Sequence, residues 1–349
     1  MSDTDKDTSA RTPAGLRSAV SPFEAPILAR TVWQLFTSIG LYLASSAAMY
    51  AAFQVTILLT LALAIPTGAL LVRVFIVQHD CGHGSFFRSR RANDIVGRLC
   101  SLMTLAPYSS WRRHHAGHHG NWNNLDRRLS GADIYSACLT VAEYRKLSRR
   151  DRLFYRLTRH PIVAHLLLPP LIFVLLYRVP FDMPEGWERE RRAVYLTNIA
   201  ILALMLALGG LFGFAEMLVV QSLTILVGSV IGVWLFALQH RYEGAEWMRQ
   251  TEWSFVGAAI DSSSYLKLPK VLQWFTGNIG FHHVHHLAPR VPNYRLEECY
   301  EAVAALRTRT PLSLRAGLKS VWLALWDEER RGLVRFSALR QRPSPASAA

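Results

Sequence analysis

The chain has 349 residues, 51% of them apolar, and a mean hydropathy of only +0.15, which suits a membrane protein with a large water-facing part. Its net charge of +14 allows two readings, nucleic-acid binding or contact with an anionic membrane face, until the charges are located. The four cysteines, Cys81, Cys100, Cys138 and Cys299, lie far apart with no Cys-x-x-Cys pair, which argues against a disulfide framework or a thiolate zinc knuckle.

Residues 1–26 are polar and mixed in charge, with no apolar h-region, and read as a disordered lead-in rather than a secretory signal. No charged residue occurs between Arg30 and Arg73, a run long enough for two membrane spans, expected at Val32–Phe53 and Gln54–Val77 around a tight turn near Ala51–Phe53. Pro66 and Gly68 are breaks that membrane helices tolerate. A second charge-poor block, Ala193 to Gln239, is interrupted only by Glu216 and predicts spans at Ala193–Phe214 and Met217–Leu238. Ile162–Tyr177, broken by His165 and Pro169–Pro170, is too short for a span and is expected to be interfacial or re-entrant. Leu312–Trp326 reads as an amphipathic surface helix, followed by a disordered tail. The expected organisation is therefore a lead-in over 1–26, a four-span membrane domain over 27–311, and an amphipathic helix with a tail over 312–349.

Four spans in two hairpins place both termini and the Gln78–Arg192 segment on one side. Arg88 to Arg159 carries fifteen Lys/Arg against five Asp/Glu, so by the positive-inside rule that side is cytoplasmic. Topology and anionic headgroups then account for the basic excess. No nucleic-acid motif is present.

Eleven of the thirteen histidines fall in three clusters or at the end of a span. His79 and His83 follow the second span at i and i+4, one face of a continuing helix. His115, His118 and His119 stand at i, i+3 and i+4, and His282, His285 and His286 repeat that spacing, leaving His283 off the face. His114 is an alternative to His115, since it too stands four residues before His118. His240 closes the fourth span at the depth of His79. One cluster alone could be structural, but two matching triads, a pair and a span-end histidine on one membrane face form a metal-binding pattern. Eight or nine imidazoles exceed one ion's capacity and suit two. Imidazole without thiolate is compatible with iron, copper, nickel or zinc, so the ligands alone do not name the element. Zinc would suit a hydrolase, for which neither a carboxylate-rich nor a Gly-x-Ser-x-Gly feature appears.

At these boxes the sequence resembles the membrane fatty-acid desaturase superfamily, marked by three histidine boxes around two pairs of spans. The likeness extends through Gly120–Arg128 and Gly131–Tyr135, then Lys267–Lys270, Trp274–Leu287 and Arg290–Tyr294, so that it spans roughly residues 27–300. It implies an all-α integral membrane fold of four transmembrane helices in two hairpins, with a cytoplasmic helical cap carrying a histidine-ligated di-iron site. It also implies an inner-membrane enzyme whose two irons, reduced by an electron carrier, use dioxygen to set a cis double bond into membrane-lipid acyl chains. The ligands carried over are His79, His83, His115, His118, His119, His282, His285 and His286, with His240 as a ninth. In animal acyl-CoA members an Asn one turn before the span-end histidine completes a metal shell. Here that position is Phe236, and Asn278 or a water is the candidate replacement. Asp80, Asp126 and Asp133 are candidate carboxylate partners for the second nitrogen of a ligating ring. For Asp126 the alternative is a salt bridge with Arg127 or Arg128, and for Asp133 a helix cap. Tyr108, Trp111 and Trp274 are candidates for the acyl tunnel wall, or for interfacial belt residues. His160 and His165 read as structural or surface histidines.

No haem-binding His-Pro-Gly-Gly stretch and no iron–sulfur cysteine set is present, so electrons are expected from a separate ferredoxin-like or flavodoxin-like donor docking on the basic face. Two rivals remain at this stage. A hydroxylase or carotenoid ketolase of the same superfamily shares the hydrogen-abstraction step. A non-enzymatic metal transporter or sensor fits less well, because transporters place ligands near the bilayer midplane and these spans are almost ligand-free.

Overall fold

The computed structural model describes residues 12–128 and 137–340. Asp133, residues 1–11 of the lead-in and residues 341–349 of the tail lie outside the described residues.

Among the described residues, four helices are long and apolar enough to cross a membrane: α2 (Leu28–Phe53), α3 (Ile57–His83), α9 (Glu188–Phe212) and α10 (Phe214–His240). Their polarity is the reverse of a soluble helix. The buried stripe of α2 is Thr31, Gln34, Ser38, Tyr42, Ser46 and Met49, while Val32, Trp33, Phe36, Leu41 and Leu43 face outward. In α9 only Val194 and Gly209 are buried, and Leu196, Ile199, Leu202 and Leu206 are exposed. Lipid solvates such apolar faces, so helix contact is left to small and hydrogen-bonding side chains.

The first hairpin breaks at Gln54–Thr56, three residues later than the sequence pattern placed it, because the Thr56 hydroxyl accepts from Leu58 N and caps α3. The second breaks at Gly213, whose φ of +98° ends α9. Both turns lie at the same end of the bundle, where Tyr50 and Phe212 stack with centroids 4.2 Å apart. The helices run past the expected spans at the opposite end. There α3 continues to His83, and α9 begins on the polar turn Glu188–Arg192. The two hairpins approach closely at Gly68 and Gly228. A Cβ on Gly68 would stand 2.9 Å from Gly228 N, and one on Gly228 would stand 3.2 Å from the Gly68 carbonyl oxygen. Within this bundle Arg73 is buried, its guanidinium on the Trp274 carbonyl and 3.9 Å from the Trp274 ring centroid.

Between the hairpins, α4 (Arg90–Thr104) and α5 (Tyr108–Asn121) cover the polar end of α3. Ser89 caps α4, and the Asn93 side chain closes the loop before it on both backbone groups of Phe87. Next come α6 (Val141–Lys146), α7 (Arg149–Thr158), a single π-helical turn at Val163–Leu167 and α8 (Leu168–Val174). The axis bends by 57° between Arg149–Thr158 and Val163–Arg178, the geometry of a broken span or a re-entrant segment. After α10, the short helices α11 (Phe255–Asp261), α12 (Lys270–Phe275), α13 (His282–Leu287) and α14 (Leu296–Ala302) fold back over the bundle end.

Three expectations need correcting. Within the lead-in, α1 (Pro13–Val20) is a helix whose Leu16 and Val20 are buried with Val291, Leu296 and Leu306, so apolar spacing of four residues ordered it. The expected helix over Leu312–Trp326 is shortened to α15 (Leu314–Ser320). The end of that stretch is strand instead: β1 (Leu139–Thr140) pairs in parallel with β2 (Leu325–Asp327), which pairs antiparallel with β3 (Gly332–Val334), ahead of a 3-10 turn at Phe336–Arg340. Asp327 Oδ1 accepts from Glu329 N and Arg330 N, an Asx turn that closes the hairpin and buries Trp326. The protein is mostly helical, with this small sheet joined to it.

Candidate metal centre

The histidines come from the ends of four elements. His79 and His83 lie in the last turns of α3, His115, His118 and His119 on α5, His240 at the end of α10, and His282, His285 and His286 on α13. Gly82 lets α5 approach α3, since a Cβ there would stand 2.8 Å from the Trp111 ring.

The nine rings gather in two adjoining groups. His79, His83, His115, His119 and His285 form one, and His118, His240 and His286 the other. His282 joins the second group through His240, Nε2 to Nε2 at 3.1 Å. Each group has a hub. His119 Nε2 stands 3.2 Å from His115 Nε2 and 3.1 Å from His285 Nε2. His240 Nε2 stands 3.0 Å from His118 Nε2 and 3.1 Å from His282 Nε2. The groups touch where His119 and His286 stack, with centroids 4.2 Å apart.

Hydrogen bonds alone account poorly for this arrangement. A neutral imidazole has one N–H and one lone pair, so a nitrogen facing two others cannot satisfy both. In addition, Nε2 of His83 and of His286 is buried with no partner among the described residues. A shared cation resolves the conflict: two nitrogens bound at right angles to an ion about 2.1 Å away stand about 3.0 Å apart. Burial, reinforced by neighbouring imidazoles, drives the pKa values of His115, His119, His282, His285 and His286 well below the usual histidine range. Those shifts favour the neutral form of these five rings, the form that offers a lone pair to a metal. The donor set fits metal ions, and its division into two groups fits a pair.

His114 and His283 are turned away. His114 Nε2 lies 3.5 Å from an Asp182 carboxylate oxygen, and His283 Nε2 lies 3.1 Å from the Leu306 carbonyl. Both His160 and His165 lie outside the two groups.

Of the candidate carboxylates, Asp80 reaches the cluster, with Oδ1 3.2 Å from His79 Nδ1. Asp126 does not. It pairs with Arg249 at 2.8 Å and accepts from Gln250 N at 2.8 Å, and these two donors hold its carboxyl below the usual range. Its direct partners are thus Arg249 and a backbone N–H rather than a histidine, while Arg128 pairs with Glu143. Asn278 does not reach the rings either. Its amide donates to the Asn293 carbonyl and accepts from Gln273, fixing a left-handed turn with φ +57°.

Of the candidate tunnel residues, Trp111 stacks on His115 with centroids 4.6 Å apart. Tyr108 is a packing residue, buried with its hydroxyl donated to the Cys81 carbonyl at 2.8 Å. Trp274 carries the Arg73 guanidinium and makes no ring contact with a histidine among the described residues. Two aromatic neighbours went unassigned in the sequence: Trp122, 4.1 Å from His240 between centroids, and Phe236, between His118 at 5.3 Å and His240 at 5.1 Å. Trp122 stands three residues after His119, close enough to the second box to be the signal that could have found it.

The model of the family described as fatty acid desaturase matches residues 25–316. A fatty acid desaturase of Bacillus subtilis (strain 168) is 41% identical over 328 residues, 94% of this chain and 92% of the relative. A probable fatty acid desaturase of Sorghum bicolor is 32% identical over 67% of this chain and 61% of its own length. A Synechocystis protein named sn-1 acyl-lipid omega-3 desaturase (ferredoxin) is 29% identical over 68% of this chain and 65% of its own. Matched along most of its length, and built around apolar helices and a histidine cluster, this chain belongs to the fatty acid desaturase family and is a membrane oxidoreductase.

Proposed function

We propose that the protein is an oxygen-dependent di-iron acyl-lipid desaturase, with His79, His83, His115, His119 and His285 holding one iron and His118, His240, His282 and His286 the other. The observation that carries this is the pair of hubs, His119 and His240, each a buried ring nitrogen facing two more. When bound and reduced, the irons supply the dioxygen chemistry that removes two hydrogens from adjacent methylenes, leaving a cis double bond and water.

The chain's own residues do the rest. The ends of four helices converge to present the imidazoles together. Trp111 against His115, and Trp122 and Phe236 against His118 and His240, form apolar walls that keep water from the reacting carbon. The ligands crowd one end of the bundle rather than its middle, which favours a fixed site over a transport path. That end also carries the Arg-rich segments, so the positive-inside rule supports a cytoplasmic site in a cell membrane. A lipid acyl chain can then reach the site laterally. The name of the Synechocystis relative supports a ferredoxin as donor, with the basic face as its dock.

The test is metal analysis of the detergent-purified chain with His118→Ala and His285→Ala, followed by isotope-labelled lipid. About two irons per chain in the wild type, depleted in both variants, with a product lighter by two hydrogens, is the expected result. Zinc in place of iron would sink the oxygen chemistry. A product heavier by one oxygen would make the protein a hydroxylase or ketolase of the same superfamily.

A further inference from the structure

Asp80 follows His79 directly on α3, so its side chain leaves the helix about 100° away from the ring it meets. Something must hold it there. Its second oxygen, Oδ2, accepts from the backbone N–H of Asn293 at 2.7 Å and from Asn293 Nδ2 at 2.8 Å. Asn293 is held in turn by Gln34 on α2: Gln34 Nε2 donates to Asn293 Oδ1 at 2.8 Å, and Asn293 Nδ2 lies 3.2 Å from Gln34 Oε1. Gln34, Asp80 and Asn293 are all buried, as is His79. No lysine or arginine pairs with Asp80 among the described residues, so amide donors and the His79 ring are its counterparts.

The direction of the chain of bonds matters. Oδ2 is occupied by two N–H donors, which aims Oδ1 at His79 Nδ1. A carboxylate at Nδ1 retains the N–H there, fixing the tautomer in which the Nε2 lone pair is left for a metal. Asn293 lies six residues beyond α13, so the loop leaving the third box grips the first box, and the first membrane helix supplies the anchor.

We propose that Asn293 and Gln34 are positioning residues for the metal-binding ring of His79, acting through Asp80. This rests on the di-iron reading above. The rival is a plain staple between α2 and the loop, which would move stability but not favour one metal position over the other. His79 belongs to only one of the two groups, so the two possibilities give different results.

The experiment uses the full chain in detergent, iron-loaded, as wild type, Gln34→Leu, Asn293→Ala and His79→Ala. It reads iron per chain, the rate of iron release to a chelator, the Mössbauer spectrum and the melting temperature. We expect Gln34→Leu and Asn293→Ala to release one iron about 10–100-fold faster while the other stays at the wild-type rate. The Mössbauer parameters of one site alone should shift. Adding Gln34→Leu to His79→Ala should change release no further, because the two act as a unit. Two irons released alike from wild type and variants, or both lost together with a lowered melting temperature, would overturn the inference and leave the di-iron reading standing. A wild-type chain that holds no iron pair would overturn both.

Discussion

Neighbouring histidines in the third box have opposite fates. His282, His285 and His286 turn into the cluster, and His283 between them turns to the Leu306 carbonyl. His285→Ala is therefore expected to cost iron, whereas His283→Ala should keep the full metal content. His283→Ala should instead lose about 1–3 kcal/mol of stability, since the buried carbonyl is left unpaired. Iron analysis beside thermal unfolding separates the two outcomes. The i, i+3, i+4 spacing made this division legible, because helical geometry alone decides which rings share a face. The same reasoning could not reach Asp126, whose partner Arg249 comes from another part of the chain, or Asn278, which turns to Gln273 and Asn293 rather than to a ring. Nor could it give Asn293 a role, because the Gln34 side chain that holds it lies more than 200 residues away.

For the helices, the absence of charge was a sufficient guide to existence and number, and a poor guide to ends. Membrane solvation demands an apolar middle, but nothing stops a helix continuing into water on polar residues, as α3 does to His83 and α9 does from Glu188. That overrun matters, because it carries the first box. The contact of α3 with α10 depends on Gly68 and Gly228, and His79 and His83 ride on one helix, His240 on the other. Gly228→Leu is expected to force the hairpins apart, destabilising the fold by at least about 1–3 kcal/mol and depleting iron. Gly232→Ala is the control, since a Cβ there would meet Val72 at 4.0 Å, ordinary contact. Melting temperature and iron per chain check both variants.

At the scale of the molecule, stability should depend on pH in a definite direction. Burial depresses the folded-state pKa values of the site histidines outside the spans. An unfolded chain takes up protons at about pH 6.5 that these folded rings refuse. Their contribution is thus fully present above about pH 6.5 and declines as pH falls below it. Metal-free protein should melt at progressively lower temperature from pH 7.5 to pH 5, and a melting temperature that rises across that range would contradict the burial. Docking of an acidic electron donor on the Arg-rich face would make turnover fall with ionic strength at fixed donor concentration. A flat salt dependence in a reconstituted assay would rule out that mode of docking.

The sequence by itself determined the spans, the basic face and the set of histidines. Each of these is written in local chemistry: unbroken apolar runs, clustered charge, and ring spacing on a single helix. Only the tertiary structure decided how those rings divide into two groups, which aromatic side chains wall them, and that the C-terminal segment forms a strand beside Leu139–Thr140. It also decided that Asp80 is held by a loop and a membrane helix from opposite ends of the chain. These are contacts between segments far apart in sequence, and no local pattern encodes which distant partner will fill a given space.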